Sequence, residues 1–536
     1  MPETPPRRRG FERHALTVTL LTAASRFGGL AREACFSRLI GLTEVASAFG
    51  FAFQIPNLFR RLFGEGALSA ALVPEQSRLE HRRPDAARRL ASSVLSWLAL
   101  LLGAIVVVAE VALAWLPESM ASPGLDLLAI TLPYMPLVCI TAIAGAVLQV
   151  RGRFGPAAAA PILLNASLVA AVAIAWWRGG RTPVDEDGIG IVAWGVVVAG
   201  VLQAAWTLVE LHRTRPAPTG ADPGRTRRRV RLAQRRVLRQ SIPMMLGLGV
   251  LQLNTFLDGL VASWPTVVGP TILGREYPLD VDAMATLTYA ARLYEFPLGV
   301  FGIAIATAIF PQLAREVGDR ERFAATIRRG LRLGLFIGIP ASVGVMLVRT
   351  PLVTVVLQGG AFDGGDSARV AVVLFAYATA IWSYSTTHLL VRAFYARREP
   401  MTAVRVAVAM VALNLTLNLG FVFGTPLGVA GLAWSTAICS VIQTAALARL
   451  LAARTGTLFD AAVRGSIART LGSTAAMAIV VWTMLAFVPF ERLAGAWTSA
   501  LVALVVTAGA GAAVHGAIAR AWRMPELGWA LGRDRG

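Results

Sequence analysis

Arginine and carboxylate side chains standing inside otherwise apolar segments are the residues of this chain with chemistry to do. Arg26, Arg32, Glu33 and Arg38 fall in the segment 15–41, Arg60, Arg61 and Glu65 in 44–75, and Arg292 and Glu295 in 283–313. An arginine at the centre of a membrane span costs roughly 2.5 to 3.5 kcal/mol on insertion scales. Three or four such residues therefore cost about as much as a whole domain's stability, and they cannot face lipid. Two readings stand side by side. Arg32 with Glu65, or Arg292 with Glu295, are ion pairs that hold the fold, while Arg38 and Arg61 reach a membrane interface. Alternatively, Arg26, Arg32, Arg60 and Arg292 bind a solute, supported by Glu33, Arg61, Glu65 and Glu295. Cations outnumber carboxylates here, so positive charge is left over after pairing. A planar guanidinium meets phosphate or carboxylate oxygens through paired hydrogen bonds, which makes the economical solute an anion.

A second polar set has different chemistry. Asn254 and Asp258 lie one helical turn apart, as do Asn414 and Asn418, and Thr436 adds a hydroxyl. Oxygen donors at this spacing are a candidate site for a small hard cation such as Na⁺; the other reading is hydrogen bonding between helices. Cys35, Cys139 and Cys439 are isolated in apolar stretches and read as packing residues. Asp363-Gly-Gly-Asp366 superficially looks like a metal-binding aspartate pair but reads as a lone Gly-rich loop. Neither a zinc-protease helix, a nucleophile elbow nor a P-loop lysine occurs, so a membrane enzyme acting on polyprenyl phosphates lacks its residues, and so does ATP-driven transport.

The elements that position these side chains follow from composition. Of 536 residues, 56% are hydrophobic and 15% charged, against about 25% charged in a soluble domain. Apolar stretches long enough to cross a ~30 Å hydrocarbon core recur from end to end. The expectation is an all-α integral membrane protein of about 14 transmembrane helices. The formal net charge is +20 and every basic residue is an arginine. These arginines collect on alternate loops, which is membrane topology and not a nucleic-acid-binding face. With the arginine-rich side cytoplasmic, both termini are cytoplasmic and the first span is an uncleaved helix.

The longest polar interruption, 213–239, divides six spans from eight. The segment ALSAALVP (67–74) matches AIATAIFP (304–311), and LQVRGRFGP (148–156) matches RAFYARREP (392–400). These repeats imply two pseudo-symmetric six-helix lobes of the same topology, with the solute path between them. The expected organisation is an N-terminal tail 1–14, an N-lobe 15–212, a basic linker 213–239, a C-lobe 240–452, two further helices in 453–522 and a C-terminal tail 523–536.

The stretches SRFGGLAREACFSRLIG (25–41), FAFQIPNLFRRLFGEGALSAALVP (51–74), YAARLYEFPLGVFGIAIATAIFP (289–311) and LVRAFYARREP (390–400) closely resemble the bacterial lipid II flippases of the MurJ/MviN family. That family belongs to the multidrug/oligosaccharidyl-lipid/polysaccharide exporter superfamily. The resemblance implies a transporter and not an enzyme. It would move lipid II, the undecaprenyl-pyrophosphate disaccharide-pentapeptide, from the inner to the outer leaflet of the bacterial cytoplasmic (inner) membrane by alternating access. It would thereby serve peptidoglycan biosynthesis, cell wall biogenesis and cell shape, beside the peptidoglycan synthesis machinery. Arg26, Arg32, Arg60 and Arg292 match the family's cavity arginines and Glu65 its acidic partner. The last two helices would form a hydrophobic groove for the lipid tail. Ser47 and Ala291 stand where aspartates are common in the family, which makes this cavity more positive; Glu33 stands where an aspartate is common, and Asn254 where some relatives carry one. No organic cofactor is implied, and coupling to Na⁺ or to the membrane potential is expected. A related exporter of another lipid-linked glycan is the alternative.

Overall fold

The computed structural model describes residues 8–64, 67–180, 182–215, 223–299, 303–490 and 495–532. It is helical almost throughout, with one two-stranded hairpin, and it divides into two compact units, Met1–Tyr277 and Pro278–Gly536.

In the first unit, α1 (Arg8–Ile40) and α2 (Glu44–Phe59) are followed by a π-helical turn (Arg60–Gly64) and α3 (Ala67–Arg82). Then come α4 (Pro84–Ala114), α5 (Pro123–Thr131), α6 (Tyr134–Val150), α7 (Gly155–Gly179), α8 (Glu186–Arg213) and α9 (Pro223–Val267), with a hairpin of β1 (Thr271–Ile272) and β2 (Arg275–Glu276). Close helix approach depends on small residues at the crossings. A Cβ at Gly200 on α8 would lie 2.6 Å from the ring of Tyr134 on α6, which is itself 1% exposed. At Gly259 on α9 it would lie 2.2 Å from the Gln54 side chain of α2, whose amide donates to the Thr255 carbonyl at 2.8 Å.

The second unit holds α10 (Ala283–Pro297), α11 (Ile303–Glu316), α12 (Arg320–Leu357), α13 (Gly364–Ala378), α14 (Ile381–Ala396), α15 (Pro400–Gly424), α16 (Val429–Thr455), α17 (Ala461–Phe487), α18 (Ala496–Ala521) and α19 (Pro525–Ala530). Leu313, Phe323, Ile327, Leu331, Leu390, Phe394 and Leu447 form its main core. Asp363 caps α13 in a reciprocal box with Asp366, so the aspartate pair opens a helix where a Gly-rich loop was expected; the two carboxylates satisfy each other's backbone amides and start the first turn. Arg369 bridges Asp366, at 2.7 Å, to Asp282 at the start of α10. Burial pushes the Asp282 carboxyl above its ordinary range, and the Arg369 guanidinium opposes that rise.

Nine helical segments among the described residues are long and apolar enough to cross a membrane, and the bent pair α13–α14 makes a tenth. The most apolar stretch of α4 is only 17% buried, and Leu100, Val108, Trp177, Ile479 and Val505 are exposed on other such helices and its own. A water-soluble protein inverts that relation; lipid explains it. The other expected spans coincide with α1, α2–α3, α9 and α10–α11, the helical segments that carry the candidate site residues or break beside them.

The internal repeat has a structural counterpart. Both α3 and α11 begin after an interrupted helix and carry an internal proline, Pro74 and Pro311. Both α7 and α15 open with a proline in the first turn, after a positive-φ residue, Gly152 or Arg398.

Three boundaries differ from expectation. Helix α1 begins at Arg8, inside the expected tail 1–14. The segment 523–536 contains α19, which docks on α12 through Glu526. The arginine-rich stretch is not a flexible divider from Pro223 onward. It is the first part of the 45-residue α9 and packs on α3 and α4, so the contacts divide at Tyr277 and not at 239. The burial of Val230, Ala233 and Val237 supplies the reason: an apolar stripe at helical spacing runs beneath the arginines.

Candidate substrate-binding site

Helix α1 presents Arg26 exposed, with Phe27 beside it. Among the described residues no carboxylate pairs with Arg26. Two turns on, Arg32 is held from two sides. It forms an ion pair with Glu33 and donates from Nη1 to Asn165 Oδ1 of α7 at 3.1 Å. The Asn165 amide in turn donates to the Ser25 carbonyl at 3.1 Å, so one side chain ties both ends of the Ser25–Arg32 segment to α7. A Cβ at Gly28 would stand 3.4 Å from that amide nitrogen, and α1 runs unbroken through Gly28 and Gly29. A Cβ at either glycine would meet Asn165 at ordinary contact distance.

The end of α2 places Arg60 and Arg61 in the π-helical turn. Inserting a residue into the helical register turns the following side chains to a new face, a feature frequent at functional sites. Arg60 Nε donates to Asn57 Oδ1 at 2.9 Å, and Arg61 reaches across to Gln252 of α9 at 3.0 Å. Glu65 lies outside the described residues. Arg61 thereby joins the π-helical turn to α9.

Arg292 on α10 pairs with Glu295 at 3.0 Å, and both remain partly exposed at 31% and 40%. The ion-pair reading of these two is therefore present, but an exposed pair one turn apart is worth at most about 1 kcal/mol. Tyr294 stacks with Tyr377 and Tyr384 at centroid distances of 4.6 and 5.3 Å, bracing this turn of α10 against α13 and α14.

The candidate cation ligands lie on three helices. Asn254 and Asp258 belong to α9 in the first unit; Asn414 and Asn418 lie on α15 and Thr436 on α16 in the second. Asp258 accepts the Asn254 amide at 3.5 Å, and Asn418 Oδ1 accepts the Ser435 hydroxyl. Among the described residues no group of three or more His, Cys, Asp or Glu could hold a metal ion. The donor arrangement favours hydrogen bonding between and along helices.

The second unit also contains an apolar cavity of about 780 Å³ lined by α12, α14, α16 and α17, with the end of α13. Of the last two long helices, α17 lines it and α18 does not. Its hydroxyl groups are turned inward. Ser342 accepts the Trp382 amide, Thr386 bonds the Trp382 carbonyl, and Thr444 bonds Ser383 and Thr387. What faces the cavity is hydrocarbon.

Sequence reasoning missed Asn165, Asn57 and Gln252. A lone asparagine in the apolar run PILLNASLV was the available signal for Asn165; nothing local marked the other two as arginine partners.

Comparison with known proteins follows the same division. The family model described as lipid II flippase MurJ matches residues 36–500. A probable lipid II flippase MurJ of Vibrio cholerae serotype O1 is 31% identical over 458 residues, covering 81% of this chain and 81% of that protein. The lipid II flippase MurJ of Burkholderia cenocepacia is 30% identical, covering 81% and 82%. Among solved structures, a lipid II flippase MurJ in an inward closed conformation superposes with a TM-score of 0.73 at 20% identity, covering 95% of this chain and 99% of that one. An inward-facing multidrug resistance MATE family transporter of the MOP superfamily gives 0.64 at 14% identity, covering 83% and 98%. At those identities the structural likeness concerns the fold.

Proposed function

The chain belongs to the MurJ family of lipid II flippases, and on that premise we propose that it carries lipid II across the inner membrane, with Arg26, Arg32, Arg60 and Arg292 meeting the pyrophosphate. It is a multi-pass membrane transporter of peptidoglycan biosynthesis and not an enzyme. The observation that carries the headgroup assignment is the cationic surplus. In the first unit Arg26 faces no described carboxylate, and Arg32 shares Glu33 with the neutral Asn165 on its other side. A pyrophosphate supplies the missing negative charge in paired hydrogen bonds.

Several finer statements rest on the same reasoning. The arginine-rich loops are cytoplasmic, which puts both termini there and gives fourteen spans in two six-helix lobes plus two helices. The polyprenyl chain follows the apolar cavity of the second unit and extends beyond it, a role supported by the inward-turned hydroxyls. Alternating access is driven by charge. The loaded site is nearly neutral, whereas the empty one is positive, and an inside-negative potential, worth about 2.3 kcal/mol per charge per 100 mV, returns it inward. Asn254, Asp258, Asn414, Asn418 and Thr436 are the candidate ligands of a coupling Na⁺.

Complementation of a bacterium depleted of its own flippase tests the headgroup assignment. Wild type rescues growth, and Arg26→Ala, Arg60→Ala and Arg292→Ala each fail while still reaching the membrane. Full rescue by all three removes the arginines as the headgroup site.

A further inference from the structure

Helix α16 lays Val441, Ala445 and Arg449 one turn apart along the mouth of the apolar cavity. Val441, Ala445 and Arg449 are exposed, as are Phe459 and Leu471 on the opposite rim, so the cavity opens onto the lipid-facing surface of the second unit. Arg449 lies toward the arginine-rich end of the helix. The neighbouring cations there are matched: Arg454 with Glu399 at 3.0 Å, Arg328 with Asp460 at 3.2 Å, and Arg332 with Glu526 at 2.6 Å. Among the described residues Arg449 has no such carboxylate.

An apolar cavity open to a bilayer fills with hydrocarbon, since leaving it void forfeits contact on every wall. A methylene group takes about the volume of a water molecule, roughly 30 Å³, so 780 Å³ seats about 26 of them. That is more than one ordinary acyl chain and less than a long polyprenyl chain. An unpaired guanidinium at the rim, at the level of a leaflet rich in anionic lipid, selects the head that comes with the chains.

We propose that, before substrate loads, this cavity holds the acyl chains of an anionic glycerophospholipid whose phosphate pairs with Arg449. The lipid is a placeholder which the polyprenyl chain displaces. Only that displacement rests on the flippase reading; phospholipid binding does not. The placeholder removes the penalty of an empty groove and makes loading an exchange of one lipid for another.

Native mass spectrometry of the full chain, released from nanodiscs of phosphatidylglycerol or of phosphatidylcholine, tests this without measuring transport. Wild type retains phosphatidylglycerol at least tenfold more than phosphatidylcholine. Arg449→Gln loses that preference, Arg449→Lys keeps most of it, and Ala445→Trp, which fills the mouth, loses both lipids while its thermal unfolding stays close to wild type. Adding a polyprenyl phosphate releases the bound phospholipid from wild type. Equal retention of the two lipids by wild type, or undiminished phosphatidylglycerol on both Arg449→Gln and Ala445→Trp, overturns the proposal. Retention of a co-purified polyprenyl phosphate in place of any glycerophospholipid also overturns it. Loss of flipping in Arg26→Ala with phospholipid retention intact separates this site from the headgroup site.

Discussion

Asn165 shows how one amide sets a charge. It accepts from Arg32, donates to Ser25, and packs against Gly28, so it orients the guanidinium and fixes the α1–α7 approach together. Asn165→Ala leaves Arg32 chemically intact but released on one side. We expect weakened complementation, with Arg32 still present, and a loss of about 1 to 2 kcal/mol in thermal unfolding in detergent. Asn165→Asp keeps the acceptor for Arg32 but loses the donor to the Ser25 carbonyl and lowers the cationic surplus, so it should impair stability and transport together. Glu526 makes the second residue-scale case. It is fully buried, and although burial opposes its charge, hydrogen bonds from Ser466 and Arg332 hold its carboxyl below the ordinary value of 4.5. A depressed pKa contributes stability that is present above the ordinary value and lost as pH falls through the folded one. Protection of 525–530 in hydrogen exchange should therefore hold steady down to about pH 4.5 and decline only below it. Glu526→Gln should abolish that decline, while Glu526→Ala leaves Arg332 uncompensated and costs about 3 kcal/mol. Residue types were legible in the sequence: Arg26, Arg32, Arg60 and Arg292 stood out because apolar neighbours make a charge conspicuous. Their partners were not, because Asn57, Gln252 and Asn165 are defined by contacts that no local pattern encodes.

Helices read well from the sequence where nothing but apolar periodicity set them, as in α4, α7, α17 and α18. They read less well where charge and apolarity share one element. The arginines of 223–239 suggested a solvated linker, yet Val230, Ala233 and Val237 give that stretch a buried stripe, and propagation of an existing helix costs less than nucleating a new one. The apolar cavity of the second unit was not legible, because its walls belong to α12, α14, α16 and α17, a set assembled from distant parts of the chain. Tight crossings carry the element-scale prediction. Gly200→Val drives side-chain atoms into Tyr134, which is buried and has no room to yield, and should lower stability by about 2 kcal/mol or more in thermal unfolding. Gly103 on α4 meets nothing within 4 Å, so Gly103→Ala should be neutral or slightly stabilising.

At the scale of the whole molecule, the charge argument makes transport sensitive to the membrane potential. Collapsing an inside-negative potential in proteoliposomes should slow lipid II translocation severalfold at constant pH; an unchanged rate would remove the potential as the restoring force. The family and the all-α membrane fold were both legible in the sequence, because motifs such as PNLFRRLFGEGA are carried by contiguous residues. The division of the chain at Tyr277 was not, since it depends on which neighbours α9 keeps. That helix has a mechanical consequence as well. Forty-five residues at 1.5 Å each make a rod of about 68 Å, more than twice the ~30 Å hydrocarbon core. Its arginine-studded end is joined to the turn that holds Asn254 and Asp258 through a stretch that carries Pro243, where the helix lacks one backbone donor. Torque applied at the arginine end, by a bound protein or a crowded lipid surface, would therefore be taken up partly at that proline before it reached the turn of Asp258.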